Sequence, residues 1–298
     1  MNNRLLCCND APYSGRIYFT TNNKRKWIPS AVHMEAYQFN WDQVETVAAD
    51  DVAKYDLTAP LPNPLVTYNE HMSCEEMRDF LANQLNGRGV EFGAASRPFP
   101  CPLQCQVEYA DYFDHAAPSS PYYNNNSYTD EKVKATYITG IEDMKGIEES
   151  SLDFIIACHV IEHVRNPLLA IETAWNKLKP KGKLVLLVPH RDLTFDAGRD
   201  LTTLDHLILD YKRPLKERDF LHFVEFYEKA FVSSNPFEKA VSAFNSINSD
   251  IHYHTWNEES FLTMIQYFSN HIKKWSGIVY YPHLKQQGAN EFYFLLEK

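Results

Sequence analysis

Two short apolar runs joined by one helical pattern constrain the fold of this chain most strongly. Residues 151–158 (SLDFIIAC) and 183–188 (KLVLLV) are the unbroken apolar runs typical of strands buried on both faces of a parallel sheet. Between them, apolar residues recur at helical spacing over 168–178, with Pro167 in the first turn and KPKG at 179–182 ending the helix. Strand, helix and parallel strand form a right-handed crossover, which predicts an α/β fold.

Polar residues follow both of these strands at their carboxyl ends. His159 comes directly after the first strand, and His190 follows the second. Ligands of parallel sheets bind beyond the carboxyl ends of the strands. We therefore expect chemistry at this edge of the sheet.

This region resembles the segment after the fourth strand of class I S-adenosylmethionine-dependent methyltransferases. The resemblance is carried by residues 151–155, by HVIEHV at 159–164 and by LKPKGKL at 178–184. It implies a Rossmann-like, seven-stranded, mostly parallel sheet with helices on both faces. It also implies S-adenosylmethionine as cofactor and methyl donor.

A variant of the family's glycine-rich loop follows the predicted strand at Val90. Glu91 and Gly93 match the start of the motif, whereas Ala95 and Arg97 stand where its second and third glycines would be. The physical requirement is close approach of backbone to the methionine part of the cofactor, so Arg97-Pro98 implies a rebuilt loop. The Arg-Pro form resembles a type-11-like subfamily found near glycan and secondary-metabolite biosynthesis.

The resemblance places further cofactor contacts after later strands. Asp111 ends the next predicted strand, where an acid binds the two ribose hydroxyls in this fold; alternatively, it caps the following helix. Asp143, or its neighbour Glu142, stands where an acid meets the adenine amino group, and we favour Asp143. His159 completes the predicted cofactor-binding set.

The chain divides into two predicted domains, the second of which carries an insertion. Residues 1–72 form a small N-terminal α+β module that includes a hairpin with an Asn-Asn turn at 22–23. Residues 73–298 form the methyltransferase domain, which closes with two late strands. Within it, an insertion at 190–250, after the fifth strand, is predicted to be a lid over the cofactor.

Histidines dominate the predicted catalytic chemistry. Methyl transfer needs an aligned acceptor and a base for its proton, and a neutral imidazole is the natural base near pH 7. We select His190 first and His163 second as the general base. The predicted acceptor-binding residues are Arg199, His206, His252 and His254, or else these four form a buried polar network that holds the lid.

Composition limits the partners of the protein. A net charge of −10 over 298 residues argues against a nucleic-acid backbone as partner. No apolar run is long enough to span a bilayer, and no signal-peptide pattern opens the chain, so we expect a cytoplasmic protein. The six scattered cysteines predict reduced thiols and no metal site. The expected partner is a small-molecule or glycan acceptor, and a homodimer is compatible with the sequence.

Three functions compete for this sequence. The first is O-methylation of a sugar-like or small polar acceptor. The second is a metal-assisted hydrolase or oxygenase that uses His190, Asp192 and the later histidines as ligands, although no short-spaced ligand pair supports it. The third is a catalytically inactive binding or scaffold protein, motivated by Ala95 and Arg97. A nicotinamide enzyme is disfavoured because the Gly-x-Gly-x-x-Gly run is absent.

Overall fold

The computed structural model describes residues 3–113, 131–214, 216–246 and 250–298. The polar segment 115–130, whose composition predicts a loop, lies outside the described residues. The chain divides into two compact units, Met1–Ile138 and Thr139–Lys298.

A small five-stranded sheet opens the first unit, as predicted for the N-terminal region. Its strands are β1 (Arg4–Cys8), β2 (Arg16–Thr21), β3 (Lys24–Ile28), β4 (Val44–Thr46) and β5 (Asp56–Thr58), in the order β4-β1-β2-β3-β5. Asn22 and Asn23 join β2 to β3 with φ values of 49° and 60°. Asparagine tolerates this left-handed backbone, so the predicted hairpin turn is confirmed.

The large sheet has seven strands, as the resemblance implied. They are β6 (Gly87–Phe92), β7 (Cys105–Asp111), β8 (Tyr137–Ile138), β9 (Leu152–Cys158), β10 (Leu178–Pro189), β11 (Gly277–Tyr281) and β12 (Glu291–Glu297). Their order is β11-β12-β10-β9-β6-β7-β8. Strand β12 pairs antiparallel with both β10 and β11, whereas β9 and β10 pair in parallel. The predicted mostly parallel, Rossmann-like sheet is therefore confirmed.

Two strands differ from their predicted bounds. Strand β8 covers only Tyr137–Ile138, shorter than the expected 134–138. Strand β10 begins at Leu178, earlier than expected, because its register against β9 shifts between Leu178 and Lys183. The Lys-Pro-Lys-Gly tetrapeptide is therefore a bulge inside the strand, with Lys181 at φ 66°.

Helices α1 (Ala31–Ala36) and α2 (Ala49–Ala53) belong to the N-terminal region and pack on its small sheet. The later helices are α3 (Cys74–Ala82), α4 (Pro167–Lys177), α5 (Leu204–Lys212), α6 (Lys216–Glu225), α7 (Pro236–Phe244) and α8 (Glu258–His271). Ser73 caps α3 and Asn257 caps α8, both as predicted. A π-helical turn, Phe226–Ala230, continues α6. Over the described ranges, none of these helices is both long and apolar enough to cross a bilayer.

None of the six cysteines, all of which lie in the described ranges, forms a disulfide. Cys8, Cys101 and Cys105 are buried, and the other three are partly exposed.

Candidate active site

The loop after β6 is held by a buried carboxylate. Glu91 is 1 % exposed, and its two carboxylate oxygens accept the Phe99 backbone N–H at 2.9 and 3.0 Å. Burial raises the pKa of Glu91 to about 8, although the hydrogen bond from Phe99 acts in the opposite direction. Glu91 thus fixes the shape of the loop 93–99 from inside the first unit.

The loop itself supplies an open backbone surface. Gly93 has φ 72° and is exposed, and its N–H donates to Ala110 O at 3.1 Å. Ala95 also has a positive φ, 43°, and Arg97 N–H closes a tight turn on Ala94 O at 2.9 Å. The side chain of Arg97 is exposed. The backbone of the variant loop is therefore left-handed at Gly93 and Ala95, the first two motif positions, and the exposed Arg97 side chain does not fill the space inside the loop.

Replacing Glu91 with glutamine is expected to change how stability depends on pH. The raised pKa of Glu91 means that its contribution is fully present below about 4.5 and is lost as pH rises through about 8. One such proton gives a slope of up to about 1.4 kcal/mol per pH unit in that window. Chemical unfolding at several pH values measures this slope, which Glu91→Gln should flatten. The exposed Glu35→Gln is the matched control, and equal slopes in wild type and Glu91→Gln contradict the assignment.

Asp111 lies at the carboxyl end of β7, beside a small cavity in the same unit. The cavity is shallow, with a volume of only about 10 Å³, and its walls include Ala94, Ala95, Ala110 and Phe113. Asp111 is partly exposed, and its Oδ1 accepts the Tyr112 backbone N–H at 2.7 Å. Small apolar walls with a carboxylate at the rim are suited to a sugar hydroxyl pair attached to a flat ring.

The two acids after β8 differ in environment. Glu142 is partly buried, which raises its pKa, and its Oε1 accepts the Asn166 backbone N–H at 3.0 Å. Asp143 is exposed, and its Oδ2 lies 3.7 Å from Lys145 Nζ. Of the two acids, Asp143 is therefore the one with a side chain open to solvent.

His159 stands directly after β9 between two acids. It has φ 51°, and its Nε2 lies 2.7 Å from Glu291 Oε2. Its Nδ1 lies 3.6 Å from Glu162 Oε1, and its side chain is 36 % exposed. Glu162 is fully buried, and its carboxylate accepts no hydrogen bond from the described residues. The two carboxylates can therefore stabilise a positive charge on the His159 ring.

His163 faces the same buried acid from the turn Ile161–His163. Its Nε2 lies 3.7 Å from Glu162 Oε1, and its Nδ1 lies 2.7 Å from Asp250 Oδ1. Burial lowers the pKa of His163, but the hydrogen bond to Asp250 and the charge of Glu162 outweigh it and raise the pKa to about 9. His163 is therefore protonated at pH 7.

His190 is buried at the end of β10, where both ring nitrogens have protein partners. Nδ1 accepts the Asp192 backbone N–H at 3.2 Å, and Nε2 lies 3.1 Å from Glu258 Oε2. Its ring also contacts that of His283, with the centroids 5.0 Å apart. These contacts hold His190 where the chain leaves the sheet.

Arg199 and His252 belong to one buried ion-pair network. Arg199 Nη1 donates to Asp196 Oδ1 at 2.9 Å, and Asp196 Oδ2 lies 2.5 Å from His252 Nδ1. Arg199 also donates to His252 O at 2.8 Å and to Glu225 Oε2 at 2.8 Å. The hydrogen bonds from His252 and Arg199 lower the pKa of Asp196 despite its burial. Asp196 was one of two predicted partners of Arg199, and it is the one observed.

His206 and His254 lie together in a second cluster with Asp210 and His222. The ring centroids of His206 and His254 are 5.6 Å apart, and His254 is fully buried. Alternation of histidines over 251–256 is typical of a strand with one exposed face, but every residue of that segment is buried. The rings of His252 and His254 contact Asp196 and the backbone of Arg165 instead of solvent.

Sequence reasoning missed several residues of these networks. Glu162 lies inside the recognised motif at 159–163, so the motif itself could have indicated it. Glu291, Glu258 and His222 are distant in sequence from the groups they contact, and nothing local distinguishes them from ordinary surface residues.

Comparison with known proteins identifies the family. A family described as "Methyltransferase domain" matches residues 68–269, about two thirds of the chain. The chain belongs to this methyltransferase-domain family. The prediction of a methyltransferase domain is thereby confirmed.

Solved structures similar to this methyltransferase have low sequence identity to it. The CurJ carbon methyltransferase is 13 % identical with a TM-score of 0.39, over 75 % of this chain and 52 % of that one. A possible histamine N-methyltransferase from Thermotoga maritima is 15 % identical with a TM-score of 0.37, over 72 % and 83 %. An arsenic(III) methyltransferase from Chlamydomonas reinhardtii is 15 % identical with a TM-score of 0.35, over 70 % and 62 %. This chain thus spans about half of the CurJ protein. A search of curated proteins found no match.

The residues of the first unit fit the cofactor. Exposed Gly93 and the small side chains of Ala94 and Ala95 leave room beside the loop backbone. Asp111 at the same cavity supplies the carboxylate that a ribose diol requires.

Proposed function

We propose that this methyltransferase methylates an oxygen atom of a sugar-like or small polar acceptor, with a histidine as general base. The observation that chiefly supports a histidine base is the contact of 2.7 Å between His159 and the buried Glu291. An imidazole held by a carboxylate is the usual arrangement of a positioned base.

The tautomer of His159 decides which of its atoms takes the proton. With Nε2–H donating to Glu291 Oε2, the lone pair of the ring stands on Nδ1. Bound S-adenosylmethionine supplies an electrophilic methyl group on a sulfonium. Nδ1 of His159 would take the hydroxyl proton of the acceptor as the methyl group passes from sulfur to oxygen, and Glu291 and Glu162 would stabilise the charge on the ring.

His159 was predicted only as a cofactor contact, and we propose it as the base in preference to His190 and His163. A pKa of about 9 keeps His163 protonated near pH 7, so it fits the role of a fixed positive charge. His159 also has the more exposed side chain, 36 % against 9 % for His190 and 29 % for His163.

The acceptor class follows from the resemblance to enzymes of glycan and secondary-metabolite loci. A net charge of −10 is compatible with a neutral acceptor and unfavourable for a polyanion. Arg199, His206, His252 and His254 remain predicted acceptor contacts, in competition with their roles inside the protein. A cytoplasmic location and a homodimer belong to the same proposal.

An acceptor screen with methyl-labelled S-adenosylmethionine tests the reaction. Sugars, nucleotide sugars and small polyols are offered to the full chain, and the labelled product is analysed by NMR. A methyl ether in the product supports the proposal. A methyl group on nitrogen or carbon contradicts it, and cofactor binding without transfer to any acceptor favours the scaffold function.

Replacing Asp111 with alanine is expected to weaken S-adenosylmethionine binding by about 30- to 150-fold, roughly 2–3 kcal/mol, because a carboxylate accepts two hydrogen bonds from the ribose. Calorimetric titration measures the affinity, and circular dichroism checks that the fold is kept. Asp111→Asn, which retains one acceptor oxygen, should lose less. The exposed Asp42→Ala is the control, and an unchanged affinity in Asp111→Ala contradicts the ribose assignment.

A further inference from the structure

Four side chains of metal-ligand type lie close together in the second unit, and none of them is the proposed general base. They are three imidazoles and one carboxylate: His206, Asp210, His222 and His254. One ligand-type atom from each lies within 4.8 Å of the others. Asp210, His222 and His254 are buried, and the side chain of His206 is 35 % exposed. The cluster thus has a dry interior and one side open to solvent.

Two distances in the cluster match the spacing of ligands around one shared cation. His206 Nε2 lies 3.3 Å from His222 Nε2 and 3.0 Å from Asp210 Oδ2. A tetrahedral zinc ion with bonds of about 2.0–2.1 Å places its ligand atoms about 3.3 Å apart. Hydrogen bonds alone do not satisfy both contacts, because His206 Nε2 carries at most one hydrogen and can donate it to only one of these two atoms.

In three of these side chains, the polar atom that would not bind the metal contacts another protein group, as is usual around bound metals. His254 Nε2 lies 3.3 Å from Arg165 O, while its buried Nδ1 has no hydrogen-bond partner among the described residues. Asp210 Oδ1 lies 3.1 Å from Arg218 Nε. The ring of His222 makes a backbone hydrogen bond to Tyr253. Outer partners of this kind fix the tautomer and direct the remaining lone pair at the metal.

We propose that His206, Asp210, His222 and His254 bind one zinc ion. Three nitrogen ligands and one oxygen ligand, without sulfur, suit zinc, and four protein ligands fill a tetrahedral shell as in structural sites. His206 and Asp210 come from α5, His222 from α6, and His254 from the segment that leads into α8. The ion ties these three pieces of the chain together.

Metal analysis of the full chain tests the proposal, with any affinity tag removed. Protein grown with added zinc is dialysed and analysed by mass spectrometry, and about one zinc per chain is expected. X-ray absorption should show nitrogen and oxygen neighbours at about 2.0–2.1 Å and no sulfur shell. Absence of zinc after growth and after direct addition of zinc overturns the proposal, as does a sulfur shell.

Ligand variants assign the ion to this cluster. His222→Ala and Asp210→Asn should lower zinc affinity by more than the roughly 10- to 100-fold that follows loss of an outer partner. Two other clusters contain candidate ligands, so His163→Ala and His283→Ala are the matched controls and should keep the ion. Loss of zinc in either control, with retention in His222→Ala, overturns the assignment.

A second measurement covers the case in which the buried variants do not fold. Wild type is stripped with a chelator, and its thermal midpoint is measured with and without zinc; a rise on addition of zinc is expected because the ion binds the folded state. The more exposed His206→Asn should fold and show a much smaller rise. An equal rise in His206→Asn and wild type contradicts the proposal.

Discussion

Replacing His159 with glutamine is expected to lower kcat for methyl transfer by about 100- to 10,000-fold, the usual contribution of a positioned general base. Glutamine keeps the polarity and approximate size of the ring but cannot take the proton. The affinity for S-adenosylmethionine should change little by comparison. Turnover with labelled cofactor and calorimetric titration separate the two quantities.

The same assay distinguishes the three candidate bases. His190→Gln and His163→Gln are expected to lower kcat less than His159→Gln. The ring of His190 is buried against Glu258, and the raised pKa of His163 keeps its ring protonated near pH 7. His271→Gln, an exposed position on α8, is the control. If His190→Gln abolishes turnover while His159→Gln retains it, His190 is the base.

The pH profile tests how His159 acts. Glu291→Gln removes the carboxylate that holds Nε2–H, so the apparent pKa of the base should fall and turnover should drop by less than in His159→Gln. An unchanged pH profile in Glu291→Gln contradicts the positioning role of Glu291.

Replacing Arg199 with methionine is expected to lower the free energy of unfolding by about 3–5 kcal/mol. Arg199 is 2 % exposed, and its loss removes the guanidinium from the partly buried Glu225 and from the buried Asp196, which then keeps only His252. Denaturant unfolding measures the change. The exposed Arg213→Met, in the same unit, is the control.

A double variant isolates the ion pair within this network. Arg199→Met combined with Asp196→Asn should be less destabilised than the sum of the single variants, because the second change removes the charge stranded by the first. Strict additivity, or a loss in Arg199→Met no larger than in Arg213→Met, contradicts the buried network.

The strands and helices of the large sheet could be predicted because their signals are local. The apolar run after Ser151 and the proline at position 167 each report directly on the backbone around them. The bulge at 179–182 is the counterexample: a proline and a glycine two residues apart normally mark a break, but here the pairing with β9 resumes beyond them. A change of register is set by the neighbouring strand, which local sequence does not describe.

The candidate site was predictable only in part, for the same reason. His159 and His163 were indicated by a compact motif, whereas Glu291, which holds His159, is 132 residues away. The burial of His252 and His254 also depends on partners from distant segments, such as Asp196 and Arg165. An alternating pattern indicates two faces but not which of them will be covered.

The double contact between Glu91 and Phe99 N–H has a consequence for how such chains are recognised. Glycines are usually counted as the mark of this loop, yet here one acid under the loop holds its curvature. The side chains at Ala95 and Arg97 are then not needed to set this curvature. Divergent homologues should be sought by the buried acid and its spacing of eight residues to the captured amide.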